Sequence, residues 1–170
     1  MAKRQISPVE TKHIRLRLLE EKDLDQTLSW RNQDHIRRWF FHSEVILPEQ
    51  HAAWFQKYRD RDDDFVFIIE ERGRNNRPIG QAAIYNIDWE RRQAEFGRLM
   101  IGVKDALGKG FALAATQAIL QVAHNILNLK SVYLEVYKNN HKAIKIYKTV
   151  GFIVLDTATD ILRMQNILGN

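Results

Sequence analysis

A glycine-bearing loop at the predicted start of a helix carries residue types that suit phosphate binding. Residues 107–112 (LGKGFA) place two glycines and a lysine there. The first N–H groups of a helix lack intrahelical acceptors and carry partial positive charge, so such a loop can cradle a phosphate. The segment lacks the Ser or Thr that follows the lysine of a P-loop, and also the third glycine of a dinucleotide-binding fingerprint. Taken alone, it is equally compatible with an ordinary turn.

Glu95 is the carboxylate whose setting suits general-base chemistry. On a strand predicted over residues 93–101, alternation places Glu95 and Gly97 on one face. Gly97 leaves space beside the carboxylate or marks a bulge. Most amines are protonated at pH 7, so an amine needs a proton acceptor before it attacks an acyl group. A solvated or salt-bridged glutamate is the alternative interpretation.

A second helix is predicted over residues 140–150, with Asn140 at its N-cap position. Ala143, Tyr147 and Val150 fall on one face of it, while lysines form the opposite, solvated face. A tyrosine on a buried helix face is usually a core residue.

These segments, in this order, resemble the Gcn5-related N-acetyltransferase (GNAT) superfamily. Its members usually carry Gln or Arg, then x-x-Gly-x-Gly or Ala, at the start of the first helix. Gly110 and Ala112 match the last two positions, but Leu107 stands where Gln or Arg is expected. One side-chain contact to the donor is therefore expected to be missing, while the backbone cradle is retained.

The resemblance implies acetyl-CoA as the co-substrate, without a metal, and assigns roles to the matching residues. Glu95 is expected to be the general base, directly or through water, and Tyr147 to protonate the departing thiolate. The expected donor-binding residues are Leu99, Met100 and Ile101 along the pantetheine arm, Gly108, Lys109, Gly110 and Ala112 at the pyrophosphate, and Asn140 as N-cap, donor contact or both.

The N-terminal third is expected to bind the acceptor amine. It is rich in arginine and aromatic residues, which suit a nucleoside diphosphate and its base, although the aromatics are more simply core residues. Residues 30–32 (WRN) and 49–55 (EQHAAWF) resemble the branch that acetylates nucleotide-linked amino sugars, such as enzymes of pseudaminic acid synthesis. This resemblance implies that Arg31 and His51 contact the acceptor.

Two alternatives remain open at this point. The ribosomal-protein N-terminal acetyltransferase branch also resembles the chain, and it predicts an open groove for a protein or peptide acceptor. A non-catalytic acyl-CoA-binding or nucleic-acid-binding module would keep the fold without turnover.

The elements that must position these residues follow from hydrophobic periodicity. The predicted order is β-α-α-β-β-β-α-β-α-β-β, an α/β (α+β) GNAT fold with a mixed central sheet flanked by helices. The strand, glycine-loop helix and following strand are expected to form a right-handed parallel unit. Residues 1–12 are predicted to be a flexible tail, and residues 13–170 a single acetyltransferase domain.

Composition narrows the chemistry further. The chain of 170 residues has no cysteine, which excludes a thioester-enzyme intermediate, favours direct attack on the donor and fits a cytoplasmic location. Its net charge of +5 is explained more simply by a phosphorylated small ligand than by nucleic acid. Histidine spacing predicts no metal site, and the lack of a long apolar run predicts no membrane partner. The sequence is also compatible with a homodimer.

Overall fold

The computed structural model describes residues 2–157 and 159–169, which form an eight-stranded sheet with helices on both faces. The strands are β1 (Val9–Glu10), β2 (Ile14–Leu18), β3 (Asp64–Glu71), β4 (Arg77–Asp88), β5 (Gln93–Ile101), β6 (Ser131–Tyr137), β7 (Ile153–Asp156) and β8 (Ile161–Ile167). The helices are α1 (Leu24–Arg31), α2 (Asp34–Arg37), α3 (Pro48–Tyr58), α4 (Phe111–Asn125) and α5 (His141–Thr149). The predicted mixed α/β fold is confirmed.

The strands lie in the order β1-β2-β3-β4-β5-β6-β8-β7. Neighbouring strands are antiparallel, except that β5 and β6 are parallel. Parallel neighbours need a long crossover, which α4 supplies. The expected unit of strand, glycine-loop helix and strand therefore lies in the middle of the sheet.

β3 shows why the sheet is covered on both faces. All residues of β3 are buried. Phe65 and Phe67 belong to the large core on the side of α4 and α5, whereas Val66 packs with Phe55 of α3 on the other side. A strand that is buried on both faces has a continuous apolar run instead of alternation. Helices α1 to α3 thus cover one face, and α4 and α5 cover the other.

The N-terminal residues pack on the domain, in contrast to the flexible tail predicted for residues 1–12. Val9–Glu10 pairs with β2, and Ile6 is only 7% exposed within the main core. Lys3 Nζ donates to the backbone carbonyl of Tyr58 at 3.2 Å. These contacts join residues far apart in sequence, which is why local composition did not reveal them.

Candidate active site

β5 and β6 run side by side for a short distance and then separate. Among the described residues they pair at three positions, of which Glu95 opposite Tyr133 is the last. β5 nevertheless continues to Ile101, and β6 to Tyr137. The backbone of β5 beyond Glu95 therefore borders a gap in the sheet, where an extended ligand can take the place of a strand.

A bulge in β5 accompanies this separation. The register against β4 shifts between Gly97 and Met100, so β5 carries one extra residue there. Arg98 in the bulge has a φ of 55°, which is uncommon for a residue with a long side chain. Its Nη1 forms an ion pair with Asp64 Oδ1 at 2.7 Å. The predicted pantetheine segment follows the bulge directly: Leu99, Met100 and Ile101.

The start of α4 offers a cluster of backbone N–H groups. Gly110 is its N-cap residue, with a φ of 82°, and Gly108 has a φ of 73°. Because the N–H of Ala114 is the donor to the carbonyl of Gly110, the preceding N–H groups have no acceptor within the helix. A Cβ at either glycine would lie more than 4 Å from every described heavy atom outside its neighbours. Lys109 is exposed beside this open loop, and Leu107 is 47% exposed.

Replacing Gly110 by alanine is expected to raise the KM for acetyl-CoA about 5- to 10-fold. The left-handed conformation costs a residue with a Cβ about 1 kcal/mol, and rotation of the loop to relieve that strain turns its N–H groups away from a diphosphate. Steady-state kinetics with acetyl-CoA as the varied substrate measures the change. Gly73→Ala is the matched control, because Gly73 lies in open space without a left-handed φ. An unchanged KM in Gly110→Ala would contradict the assignment of this loop.

Asn140 and Tyr147 are placed by α5. Asn140 Oδ1 accepts a hydrogen bond from the N–H of Ala143 at 3.4 Å, which confirms its predicted capping role, while its contact with the donor stays a prediction. Tyr147 is 7% exposed. Its ring lies edge-on to Phe96 and Phe152, with centroid separations of 5.9 and 5.8 Å.

The Tyr147 hydroxyl keeps its proton in this environment, and its role as the acid stays a prediction. Burial raises the pKa of Tyr147 well above its usual range, so the hydroxyl stays protonated at neutral and mildly alkaline pH. Phe96, against which the ring packs, follows Glu95 directly on β5. Because successive strand residues point to opposite faces, Tyr147 and Glu95 lie on opposite sides of the sheet near the start of the gap.

Glu95 lies half-buried at the point where β5 and β6 part. Burial raises the pKa of its carboxyl, and the negative charge of Glu135 acts in the same direction. A hydrogen bond from Tyr85, together with the charges of Arg98 and Arg163, opposes this increase. A carboxylate with a raised pKa accepts a proton from an ammonium group more readily near neutral pH. This environment favours a functional carboxylate over the solvated alternative.

Tyr85 is a residue of the site that sequence reasoning missed. It lies directly opposite Glu95 in the β4–β5 hairpin. The signal was available in the sequence, because a hairpin whose turn is centred on Glu90 places the residues five before and five after it opposite each other. The contact of Arg98 with Tyr85, at 4.1 Å between guanidinium and ring centre, had no such signal, since it depends on the bulge.

Arg31 ends α1 and is buried, with 8% of its surface exposed. Its Nη2 donates to the backbone carbonyl of His42, and the guanidinium lies 4.1 Å from the ring centre of Phe40. Among the described residues its Nη1 has no hydrogen-bond partner. Burial, and then the charge of Arg37, lowers the pKa of Arg31. A buried guanidinium with an open donor is costly unless an anion satisfies it.

His51 lies on α3 and contacts the neighbouring helix. Its Nε2 is 3.1 Å from Thr27 Oγ1 of α1, and its ring stacks on Trp54 with a centroid separation of 5.5 Å. Burial lowers the pKa of His51, so the imidazole is neutral at pH 7. These partners belong to the helical layer, and the predicted contact of His51 with the acceptor stays a prediction.

The described ranges, residues 2–157 and 159–169, lack two further classes of feature. They contain no group of three or more His, Asp or Glu side chains that could hold a metal ion. None of their helices combines the length and the apolar character needed to cross a membrane.

A family model described as an acetyltransferase (GNAT) domain matches residues 13–153. The chain belongs to the GNAT acetyltransferase family. The crystal structure of spermidine N-acetyltransferase from Vibrio cholerae in complex with CoA and spermine is similar to this acetyltransferase, with a TM-score of 0.84 and 25% identity. The match covers 92% of this chain and 96% of that one.

Three curated relatives differ in what their names say about the acceptor. Spermidine N(1)-acetyltransferase of Vibrio cholerae is 29% identical over 81% of this acetyltransferase and 78% of the relative. The putative ribosomal N-acetyltransferase YdaF of Bacillus subtilis is 26% identical over 87% and 82%. Acetyltransferase PseH of Campylobacter jejuni is 25% identical over 84% of each chain.

The arrangement fits acetyl-CoA, the acetyl donor of this family. The gap between β5 and β6 borders an extended stretch of backbone, and the start of α4 presents N–H groups in open space at Gly108 and Gly110. A linear arm ending in a diphosphate matches these two features in the order in which the chain provides them. The acetyltransferase is therefore an acetyl-CoA-dependent N-acetyltransferase.

Proposed function

We propose that this acetyltransferase acetylates a primary amine on an anionic small molecule, and that the preferred acceptor is an amino sugar linked to a nucleoside diphosphate. The observation that carries the proposal is the buried guanidinium of Arg31, whose Nη1 has no partner among the described residues. A phosphate of the acceptor supplies the missing hydrogen-bond acceptor. The ring of Phe40 beside the guanidinium adds a flat apolar surface.

The charge of the chain supports an anionic acceptor. Its net charge is +5, which attracts a diphosphate and repels a polycation. The WRN segment around Arg31, which resembles the branch that acetylates nucleotide-linked amino sugars, supports the same class of acceptor.

A polyamine acceptor is the second candidate, and two observations favour it. The spermidine acetyltransferases are the relatives with 29% identity. In addition, the carboxylates of Glu95 on β5 and Glu135 on β6 are close enough to repel each other, and a cationic acceptor would be attracted to them. A peptide acceptor of the ribosomal-protein type rests on similarity to YdaF.

In the proposed reaction the protein aligns the amine with the acetyl group and moves two protons. When bound, acetyl-CoA supplies an activated thioester carbonyl near the point where β5 and β6 part. Glu95 accepts the proton that the ammonium group of the acceptor loses, which frees the nitrogen lone pair to form the new C–N bond. Tyr147 donates its hydroxyl proton to the thiolate sulfur as the C–S bond breaks, and the second proton, which the nitrogen loses on becoming an amide, returns through solvent to the Tyr147 oxygen. Holding both reactants in place supplies much of the rate enhancement.

The Arg31→Met variant tests the acceptor class. We expect the KM for a UDP-linked 4-amino sugar to rise about 10- to 100-fold, because a charge-assisted hydrogen bond contributes about 1.5–3 kcal/mol. The KM for acetyl-CoA should stay within about two-fold of the wild-type value. An equal rise in the KM values for acetyl-CoA and for the sugar would instead indicate a general loss of structure. Initial rates with each substrate varied in turn measure both constants.

The control for this variant is Arg38→Met, which removes an exposed arginine from the segment after α2. Its KM for the sugar should match that of the wild type. Unchanged sugar KM in Arg31→Met would contradict the anionic-acceptor proposal, and so would efficient turnover of spermidine that is insensitive to the same change.

A further inference from the structure

We propose that Tyr85 is a positioning residue for Glu95, and that it is held in place by Gly97 and by the ion pair of Arg98 with Asp64. This inference rests on the proposed role of Glu95 as the base of acetyl transfer. Tyr85 acts through the Glu95 carboxylate and does not itself exchange a proton with the acceptor.

The β4–β5 hairpin brings the two side chains together. Tyr85 and Glu95 are directly opposite each other, and opposed residues of antiparallel strands project to the same face. The Tyr85 hydroxyl is therefore placed to donate a hydrogen bond to the Glu95 carboxylate. The last residue pair between β5 and β6 also involves Glu95, so the hydrogen bond lies at the entrance of the gap.

Gly97 makes room for the tyrosine. A Cβ built at Gly97 would lie 2.7 Å from Tyr85 Oη and 3.2 Å from Tyr85 Cε1. The first distance is far below van der Waals separation and the second is tighter than an ordinary contact, so the Tyr85 side chain lies directly across the backbone of Gly97. Any other residue at this position would push the hydroxyl away from Glu95.

Arg98 packs against the Tyr85 ring. Its guanidinium lies 4.1 Å from the Tyr85 ring centre and donates to Asp64 Oδ1 at 2.7 Å. Asp64 is 1% exposed, and a buried carboxylate that loses its cation is strongly destabilised. The ion pair therefore holds Arg98 against Tyr85. Arg98, which lies in the bulge of β5, thus also holds Tyr85 in place beside Glu95.

The remaining charged and titratable groups near Glu95 come from β6 and β8. Tyr133 and Glu135 lie on β6, and Arg163 lies on β8 with its guanidinium 4.7 Å from the Tyr133 ring centre. Tyr133 is the residue of β6 paired with Glu95, and its hydroxyl is affected by the charge of Glu95 without a hydrogen bond to it, whereas the Tyr85 hydroxyl is placed to donate a hydrogen bond to Glu95. Tyr133 is therefore a matched control for the loss of a phenol hydroxyl beside the same carboxylate.

A hydrogen bond to an ionised carboxylate favours the ionised form and fixes its orientation. In Tyr85→Phe the ring, its contact with Gly97 and its contact with Arg98 are retained, and only the hydroxyl is lost. The Glu95 carboxylate then becomes harder to ionise and free to rotate. Its pKa should rise, and the sign of this change distinguishes positioning from a loss of structure.

A carbon-13 NMR titration of the Glu95 carboxyl in the full-length protein tests the inference, with the signal assigned from the Glu95→Gln variant. We expect Tyr85→Phe to raise the pKa of Glu95 by about one unit, and Tyr133→Phe to change it by less than about 0.3 unit. Gly97→Ala should raise it as well, because its Cβ displaces the hydroxyl. An unchanged pKa in Tyr85→Phe would overturn the inference. The titration needs no acceptor, so an error in the proposed acceptor class would leave its result unaffected.

Discussion

Replacing Tyr147 by phenylalanine is expected to lower kcat about 100-fold, which is the lower end of what a positioned general acid contributes. The KM for acetyl-CoA should stay within about two-fold, because the aromatic ring and its edge-on contacts with Phe96 and Phe152 are retained. Without the hydroxyl the thiolate leaves unprotonated, which raises the barrier of the chemical step and leaves the binding of acetyl-CoA unchanged. Pre-steady-state measurement of CoA release, together with the steady-state constants, isolates that step.

The pH dependence adds a second test of Tyr147. Since burial raises the pKa of the Tyr147 hydroxyl, the acid form persists through neutral and mildly alkaline pH. The wild-type rate should therefore show no loss from this group below about pH 10. Tyr137→Phe is the matched control, because Tyr137 lies at the end of β6 with its ring 4.9 Å from that of Phe41. Unchanged kcat in Tyr147→Phe would remove the acid role and leave Tyr147 as a core residue.

Replacing Glu95 by glutamine is expected to lower kcat/KM for the acceptor about 100-fold near neutral pH. The amide keeps the shape of the side chain and an acceptor for the Tyr85 hydroxyl, but it cannot take a proton. The deficit should shrink at alkaline pH, where the acceptor amine is already neutral and needs no base. A pH–rate profile of kcat/KM from pH 5 to pH 10 measures both effects.

The acidic limb of that profile shows whether the environment of Glu95 raises or lowers the pKa of its carboxyl. The base works when ionised, and burial raises the pKa of Glu95, so the wild-type rate should be lost as pH falls through this raised value. Removing the charge of Glu135 in Glu135→Gln lowers the pKa of Glu95 and should move the limb to lower pH. Tyr85→Phe should move it to higher pH. A limb that persists unshifted in Glu95→Gln would assign the base role to another group.

The parts of the fold that depend on local pattern could be predicted from the sequence. The strand predicted over residues 93–101 has the observed bounds of β5, and α4 begins at the predicted glycine loop. The glycine loop and Asn140 were located by the unsatisfied groups at helix starts, which are local features. Even the missed pairing of Tyr85 with Glu95 was implied by the position of the hairpin turn.

The parts that depend on tertiary contacts could not be predicted in this way. The burial of Ile6 requires a core built from distant strands and helices. The Arg98 bulge places a charged side chain against Asp64, a residue 34 positions earlier. The open donor of Arg31 is visible only once its neighbours are placed, because an arginine in a sequence carries no sign of which hydrogen bonds it lacks.

CoA release from acetyl-CoA by the purified protein, offered a UDP-linked 4-amino sugar, spermidine or an N-terminal peptide in parallel, tests the central claim most directly. We expect release with the sugar, a sharp loss of that activity in Arg31→Met, and little release with the other two amines. Release with spermidine alone, or with the peptide alone, would contradict the proposed acceptor while leaving the acetyl-CoA site in place.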